Sequence, residues 1–169
     1  MTGLPPEMVI GVIPCAKTKT GMFSTAAYTL VVTNYRIILA RMTNDLVKQN
    51  IEQVRAQAKS QGAGFFGQWG AQLKASFSFA QRYLAMYPAA ILAESPGNTA
   101  VPPFEVRQIH VERKWRSSGG DNDNDNDQPY LRITIEAIAG KTTYETDGET
   151  PSLNDAKALL WRTFGGLVR

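Results

Sequence analysis

The chain has 169 residues, 43% of them hydrophobic and 20% charged, which suits one ordinary domain and leaves little room for two separate cores. A single cysteine, Cys15, excludes an internal disulfide framework and a multi-cysteine zinc site, and a lone histidine, His110, argues against histidine-rich metal chemistry. The net charge of +3 is mild but unevenly placed: residues 46–93 carry Lys48, Arg55, Lys59, Lys74 and Arg82 against Glu52 alone, so the positive excess sits in one stretch.

In chain order, Met8 to Ile13 is apolar and β-branched and ends at Pro14, a residue better suited to the end of a strand than to its interior. Lys17 to Gly21 reads as a polar connection. Tyr28 to Thr33 and Arg36 to Met42 are two further strands, with Asn34 and Tyr35 left to turn the chain in a tight hairpin. Both runs are apolar at nearly every position, so both of their faces are expected to be covered.

From Thr43 the period changes to 3.6. Thr43 or Asn44 caps a helix over 45–60 whose apolar stripe is thin: Val47, Ile51, Val54 and Ala58. After the glycine-rich Gly62-Ala-Gly-Phe-Phe-Gly67, a second helix is predicted from Phe65 to Tyr87, stopped by Pro88. On it Phe65, Phe66, Trp69, Leu73, Phe77, Ala80, Tyr83, Leu84 and Tyr87 fall within a sector of about 120°, with Lys74, Ser78, Gln81 and Arg82 on the other side. An apolar face of that size has to be covered by the domain, by a partner or by lipid.

Residues 88–103, with Pro88, Pro96, Pro102 and Pro103, read as a loop. Strands resume at Phe104 to Trp115. Asp121 to Asp127 is a strict Asp-Asn alternation, read as a solvated hairpin tip: it lacks the glycine and the closing Glu of a calcium loop. Tyr130 to Ile138 alternates cleanly, Leu131, Ile133, Ile135 and Ala137 against Arg132, Thr134 and Glu136, which marks a strand with one wet face. Ala139 and Gly140 turn into Lys141 to Thr146. A closing helix over 152–164 has Ser152 and Asp155 at its start and Gly165-Gly166 at its stop.

This order resembles the pleckstrin-homology superfamily, in particular its microbial pleckstrin-homology-like and GRAM-like domains. The resemblance rests on the hairpin Tyr28-Thr-Leu-Val-Val-Thr-Asn-Tyr-Arg-Ile-Ile-Leu39 and on Ala158-Leu-Leu-Trp-Arg162, which is similar to the family's closing helix, with its tryptophan packed over one end of a bent sheet. It covers residues 7–42 and 103–166, about two thirds of the chain. It implies an α+β fold in one domain, residues 1–169: a bent antiparallel sheet or partly open barrel capped by a C-terminal helix. A helical insertion over 43–102, containing a helical hairpin over 45–87, follows the third strand, where the family has a short loop. The resemblance also implies a non-catalytic binding module. In phosphoinositide-binding members, bases on the first two strands and their loop hold the headgroup. Lys17 and Lys19 occupy that loop here and Arg36 opens the third strand, making these three the anion-contact candidates, although Tyr28 to Thr33 carries no base.

Function is therefore sought in the insertion. Phe65, Phe66, Trp69, Leu73, Phe77, Tyr83 and Leu84, flanked by Lys74 and Arg82, are the expected contact residues for a protein partner or a second copy of the chain. The alternative is peripheral attachment of the same basic amphipathic helix to anionic lipid. Nucleic acid fits less well, because the aromatic rings and Lys74 lie on opposite sides of the helix. No phosphate loop, nucleophile motif or cofactor signature is present, so neither an enzyme nor a bound cofactor is expected. No run approaches the ~20 apolar residues of a membrane span and residues 1–7 lack a secretory pattern, so the expected location is cytoplasmic, with membrane association in the second reading.

Overall fold

A computed structural model describes residues 3–60, 79–117 and 127–169. The chain is α+β: a bent, open antiparallel sheet closed at one end by a C-terminal helix. Seven strands are described: β1 (Val9–Lys19), β2 (Thr25–Thr33), β3 (Ile37–Met42), β4 (Thr99–Val101), β5 (Val106–Arg116), β6 (Gln128–Ala137) and β7 (Gly140–Glu145). Their order across the sheet is β4-β3-β2-β1-β7-β6-β5. Helix α1 (Asn44–Ser60) follows β3, α2 (Pro88–Ala93) precedes β4, and α3 (Leu153–Phe164) follows β7. Among the described residues no helix is long and apolar enough to cross a membrane.

The hairpin of β2 and β3 forms where the sequence puts it, with Thr33 N–H bonded to the Arg36 carbonyl at 2.8 Å across Asn34 and Tyr35. Pro14, by contrast, does not end β1. The register against β2 slips between Ile13 and Ala16, so a bulge absorbs the missing donor and the strand continues to Lys19. Lys17 and Lys19 are therefore strand residues and not loop residues. The extension lets β1 serve both halves of the sheet, pairing with β2 along its length and with β7 at Lys17 and Glu145.

Two apolar clusters hold the molecule. Inside the bend lie Ile13, Leu30, Val32, Ile37, Ile109, Val111, Leu131, Ile133 and Ile135, sealed by Ala156, Leu160 and Phe164 of α3. The alternate residues of the first strands, Val12, Val31, Ile38 and Ala40, point outward and are covered by Phe79, Ala80, Tyr83 and Ile91. Full burial of such side chains stabilises by roughly 1.5–3 kcal/mol each, so this second layer is a large term. Both faces of β2 and β3 are covered, as their unbroken apolar runs require.

The segment that provides the cover departs from the expected single helix. Phe79 to Gln81 are helical and Arg82–Ala85 tightens into a 3-10 turn, leaving Tyr87 extended. Pro88 then opens α2, where its missing N–H costs nothing, and β4 adds to the edge of β3. Residues 88–103 thus contain a helix and a strand in place of the loop read from their prolines.

Helix α3 starts as its sequence predicts: Ser152 Oγ accepts the Asp155 N–H at 3.2 Å and donates to Asp155 Oδ2 at 2.7 Å. It stops at Gly165, whose φ of 54° favours glycine. Its tryptophan does not pack over the sheet. Trp161 is 62% exposed, and Ala156, Leu160 and Phe164 make the seal instead. Beyond the helix, Val168 and Arg169 run parallel to β5, Arg169 bonding the Ile109 carbonyl at 2.8 Å and accepting from Val111 N–H at 3.0 Å.

Candidate functional site

Of the contact residues named from the sequence, Phe65, Phe66, Trp69, Leu73, Lys74 and Phe77 lie outside the described residues, as do Asp121 to Asn126. Tyr83 is corrected outright. It is 0% exposed, packed edge-on to Phe79 with ring centroids 5.9 Å apart, and is unavailable as a contact surface. Its hydroxyl donates to Glu94 Oε2 at 2.7 Å, and burial first, then Glu94, pushes its ionisation well above the ordinary phenol range. Arg82 is engaged too: it pairs with Glu94 at 2.5 Å and lies over the Phe79 and Tyr83 rings. The segment from Phe79 to Glu94 folds back onto the sheet. Leu84 and Tyr87 alone of the predicted face remain exposed among the described residues.

Arg36 already has a partner. Its guanidinium makes a two-point contact with Glu7, both distances 2.8 Å, while Glu7 also accepts from Thr33 Oγ1. That fork braces the β2–β3 turn and pairs the guanidinium's charge with a carboxylate.

Lys17 and Lys19 fare differently. They stand on the outward side of β1, Ala16 being buried in the core, and line a cavity of about 540 Å³ with Thr18, Thr25, Arg116, Lys141, Thr142, Thr143 and Glu145. Four cations from three strands thus face one cavity whose lining holds one acid, and Arg132 already engages that acid, Glu145, at 2.9 Å. Lys17 meets Asp147 at 2.6 Å and Lys141 meets Glu136 at 2.9 Å, all half-exposed pairs that cost little to rearrange. Lys19 has no carboxylate partner among the described residues. On the far side of Lys17 a second depression, about 350 Å³, includes Arg41.

Between β1 and β2 the chain turns through Thr20 to Ser24, a loop closed by the Thr20 N–H to Ser24 carbonyl bond at 3.0 Å and by contact between the two hydroxyls at 2.9 Å. At its tip sit Met22, 90% exposed, and Phe23, 98% exposed. Two large apolar side chains held out in water beside Lys17 and Lys19 are the feature that sequence reasoning missed. Its signal was faint: Met22-Phe23 is the one apolar pair inside the polar stretch from Lys17 to Ser24, too short to show a period.

His110 lies on the wet face of β5–β7 with Gln108, Glu112, Arg132 and Thr134 around one shallow depression. That surface is an ion-pair ladder, Lys114 to Glu112 at 3.1 Å and Arg132 to Glu145 at 2.9 Å, in which opposite charges answer one another.

No protein-family model matches this chain, and no curated protein does. Among solved structures it is similar to the crystal structure of the C-terminal domain of an unknown protein from Leishmania infantum. The match has 9% identity and a TM-score of 0.42, and covers 94% of this chain and 84% of that one.

Proposed function

We propose that the protein is a non-catalytic, pleckstrin-homology-like binding module that docks on anionic membrane surfaces through the β1–β2 tip and the basic cavity beside it. The observation that carries this reading is the near-complete exposure of Met22 and Phe23 next to Lys17 and Lys19. The pleckstrin-homology kinship is supported by the strand order, with the long β1 shared between the two halves, and by a helix sealing one end of the bend. The membrane role moves from the inserted helix, the element first expected to carry it, to the hairpin tip.

Magnitudes say why both parts are needed. Each apolar tip residue contributes at most roughly 1.5–3 kcal/mol when fully withdrawn from water. Each base near an anionic leaflet adds about 1 kcal/mol, and this part is screened by salt. Neither contribution alone gives durable attachment, so the two act together.

Flotation with vesicles of phosphatidylserine and phosphatidylcholine tests the reading. The full chain should float with these and not with pure phosphatidylcholine, and high salt should release it. Met22→Ser with Phe23→Ser, and separately Lys17→Glu with Lys19→Glu, should each reduce flotation at least tenfold, while Trp69→Ala with Phe77→Ala should leave it intact. Flotation that survives both tip and lysine variants would overturn the proposal. So would a chain that ignores every vesicle and shows a concentration-dependent mass, the behaviour of a protein-contact or self-association module.

A further inference from the structure

Lys141 and Thr142 both line two cavities, and Lys141 also borders the depression around His110. On one side is the basic cavity. On the other is a cleft of about 320 Å³ between the two halves of the sheet, where Leu39 and Val101 of β3 and β4 face Ile135, Ala137 and Tyr144 of β6 and β7. Leu39, Ile135 and Tyr144 are core residues, each under a tenth exposed, so the cleft opens onto the interior of the bend. Glu105 stands at its rim, with Ala139 and Gly140 of the β6–β7 turn. The Ile138 N–H to Glu105 carbonyl bond, 2.8 Å, ties that turn to the segment before β5, so the mouth has fixed walls. Exposed Phe104 and Ile138 are the neighbours of Glu105 and Ala139 in the chain.

We infer that this composite site binds a single-chain anionic amphiphile, its acid head on Lys141 and Lys19 and its hydrocarbon chain in the cleft; the inference rests on the anion-binding part of the function proposed above. Charge complementarity selects the head, because Lys17, Lys19, Arg116 and Lys141 surround the basic cavity. The apolar floor selects the tail. The cleft has the volume of about ten water molecules, enough for part of an alkyl chain and too little for a diacyl lipid. Continuity selects the pairing, since Lys141 and Thr142 line both spaces. Such a molecule could arrive as a free monomer or from the membrane on which the tip docks.

Calorimetric titration of the full chain with dodecyl phosphate below its micelle threshold, ethyl phosphate and inorganic phosphate decides the matter. Each methylene fully taken from water is worth a factor of about four. Partial burial of the chain should therefore make dodecyl phosphate bind at least thirtyfold tighter than ethyl phosphate. Ala137→Phe, which fills the cleft from β6, should erase that gain. Should it fail to fold, Ala139→Trp, placed in the exposed turn at the mouth, reads the same effect. Equal affinity for the long and short phosphates, or a gain that persists in a folded cleft-filling variant, overturns the inference. Met22→Ser with Phe23→Ser should keep the chain-length gain while losing vesicle flotation, which marks uptake of a free monomer. Wild-type flotation without a chain-length gain would sink the cleft alone, and a chain-length gain without flotation would sink the membrane role alone.

Discussion

The two halves of the sheet meet water differently. In the β1–β4 half, the outward residues Val12, Val31, Ile38 and Ala40 lie under a second layer made by Phe79, Ala80 and Tyr83 with Ile91 of α2. In the β5–β7 half, the outward residues are His110, Glu112, Arg132, Glu136 and Glu145, cross-linked by ion pairs and wet. The contrast is already written in the strands, unbroken apolar runs in one half and alternation in the other. It teaches that the segment leading into β4 is in part a structural cover, required by a sheet too greasy to stand exposed, and that contact with other molecules is to be sought where that cover stops.

Three experiments break or sharpen this contrast. The largest effect belongs to Tyr83→Ala, which removes a fully buried ring from the covered half and takes one of two partners from Glu94. It should cost about 3–5 kcal/mol in denaturant unfolding, against about 1 kcal/mol for Thr143→Ala on the wet half, which gives up one hydrogen bond with Thr134. Equal losses would mean that the cover is loosely held.

Next comes alkaline pH. Burial raises the ionisation of Tyr144 to about 12, with the nearby Tyr28 adding to it, and raises Tyr83 as well, from an ordinary value of 10. Below pH 10 both phenols are protonated whether the chain is folded or not, and their full contribution is present. Above it the unfolded chain loses protons that the native state keeps, so stability falls as pH climbs toward the native values. Thermal melts between pH 9 and 12 should show the decline, and ultraviolet titration should show two phenols ionising late. All six tyrosines titrating together near pH 10 would contradict the burial.

The smallest effect is expected from the ion-pair ladder. Arg132→Ala with Glu145→Ala should change stability by no more than about 1 kcal/mol, and less at high salt, because both side chains are partly exposed.

Legibility followed the length of the pattern. The β2–β3 hairpin, the caps of α3 and the wet face of β6 each rest on several residues agreeing, and each stands where the sequence puts it. Pro14 misled because a lone missing donor can be absorbed by a bulge, and nothing nearby announces one. Tyr83 falls on an apolar face by its spacing, but helical spacing cannot say whose surface that face covers. Trp161 misled by its size: burial on α3 follows angular position, and Ala156, Leu160 and Phe164 occupy the inward line. Of the candidate site, Lys17 and Lys19 were legible, whereas Arg116 and Lys141 join them only through pairing of strands far apart in sequence.

The bulge at Pro14 has a consequence for how the molecule comes apart. Because β1 pairs with both β2 and β7, neither half is expected to stand as a free fragment, and loosening β1 should loosen both. The chain should melt in a single step, and its slowest-exchanging amides should cluster on that shared seam.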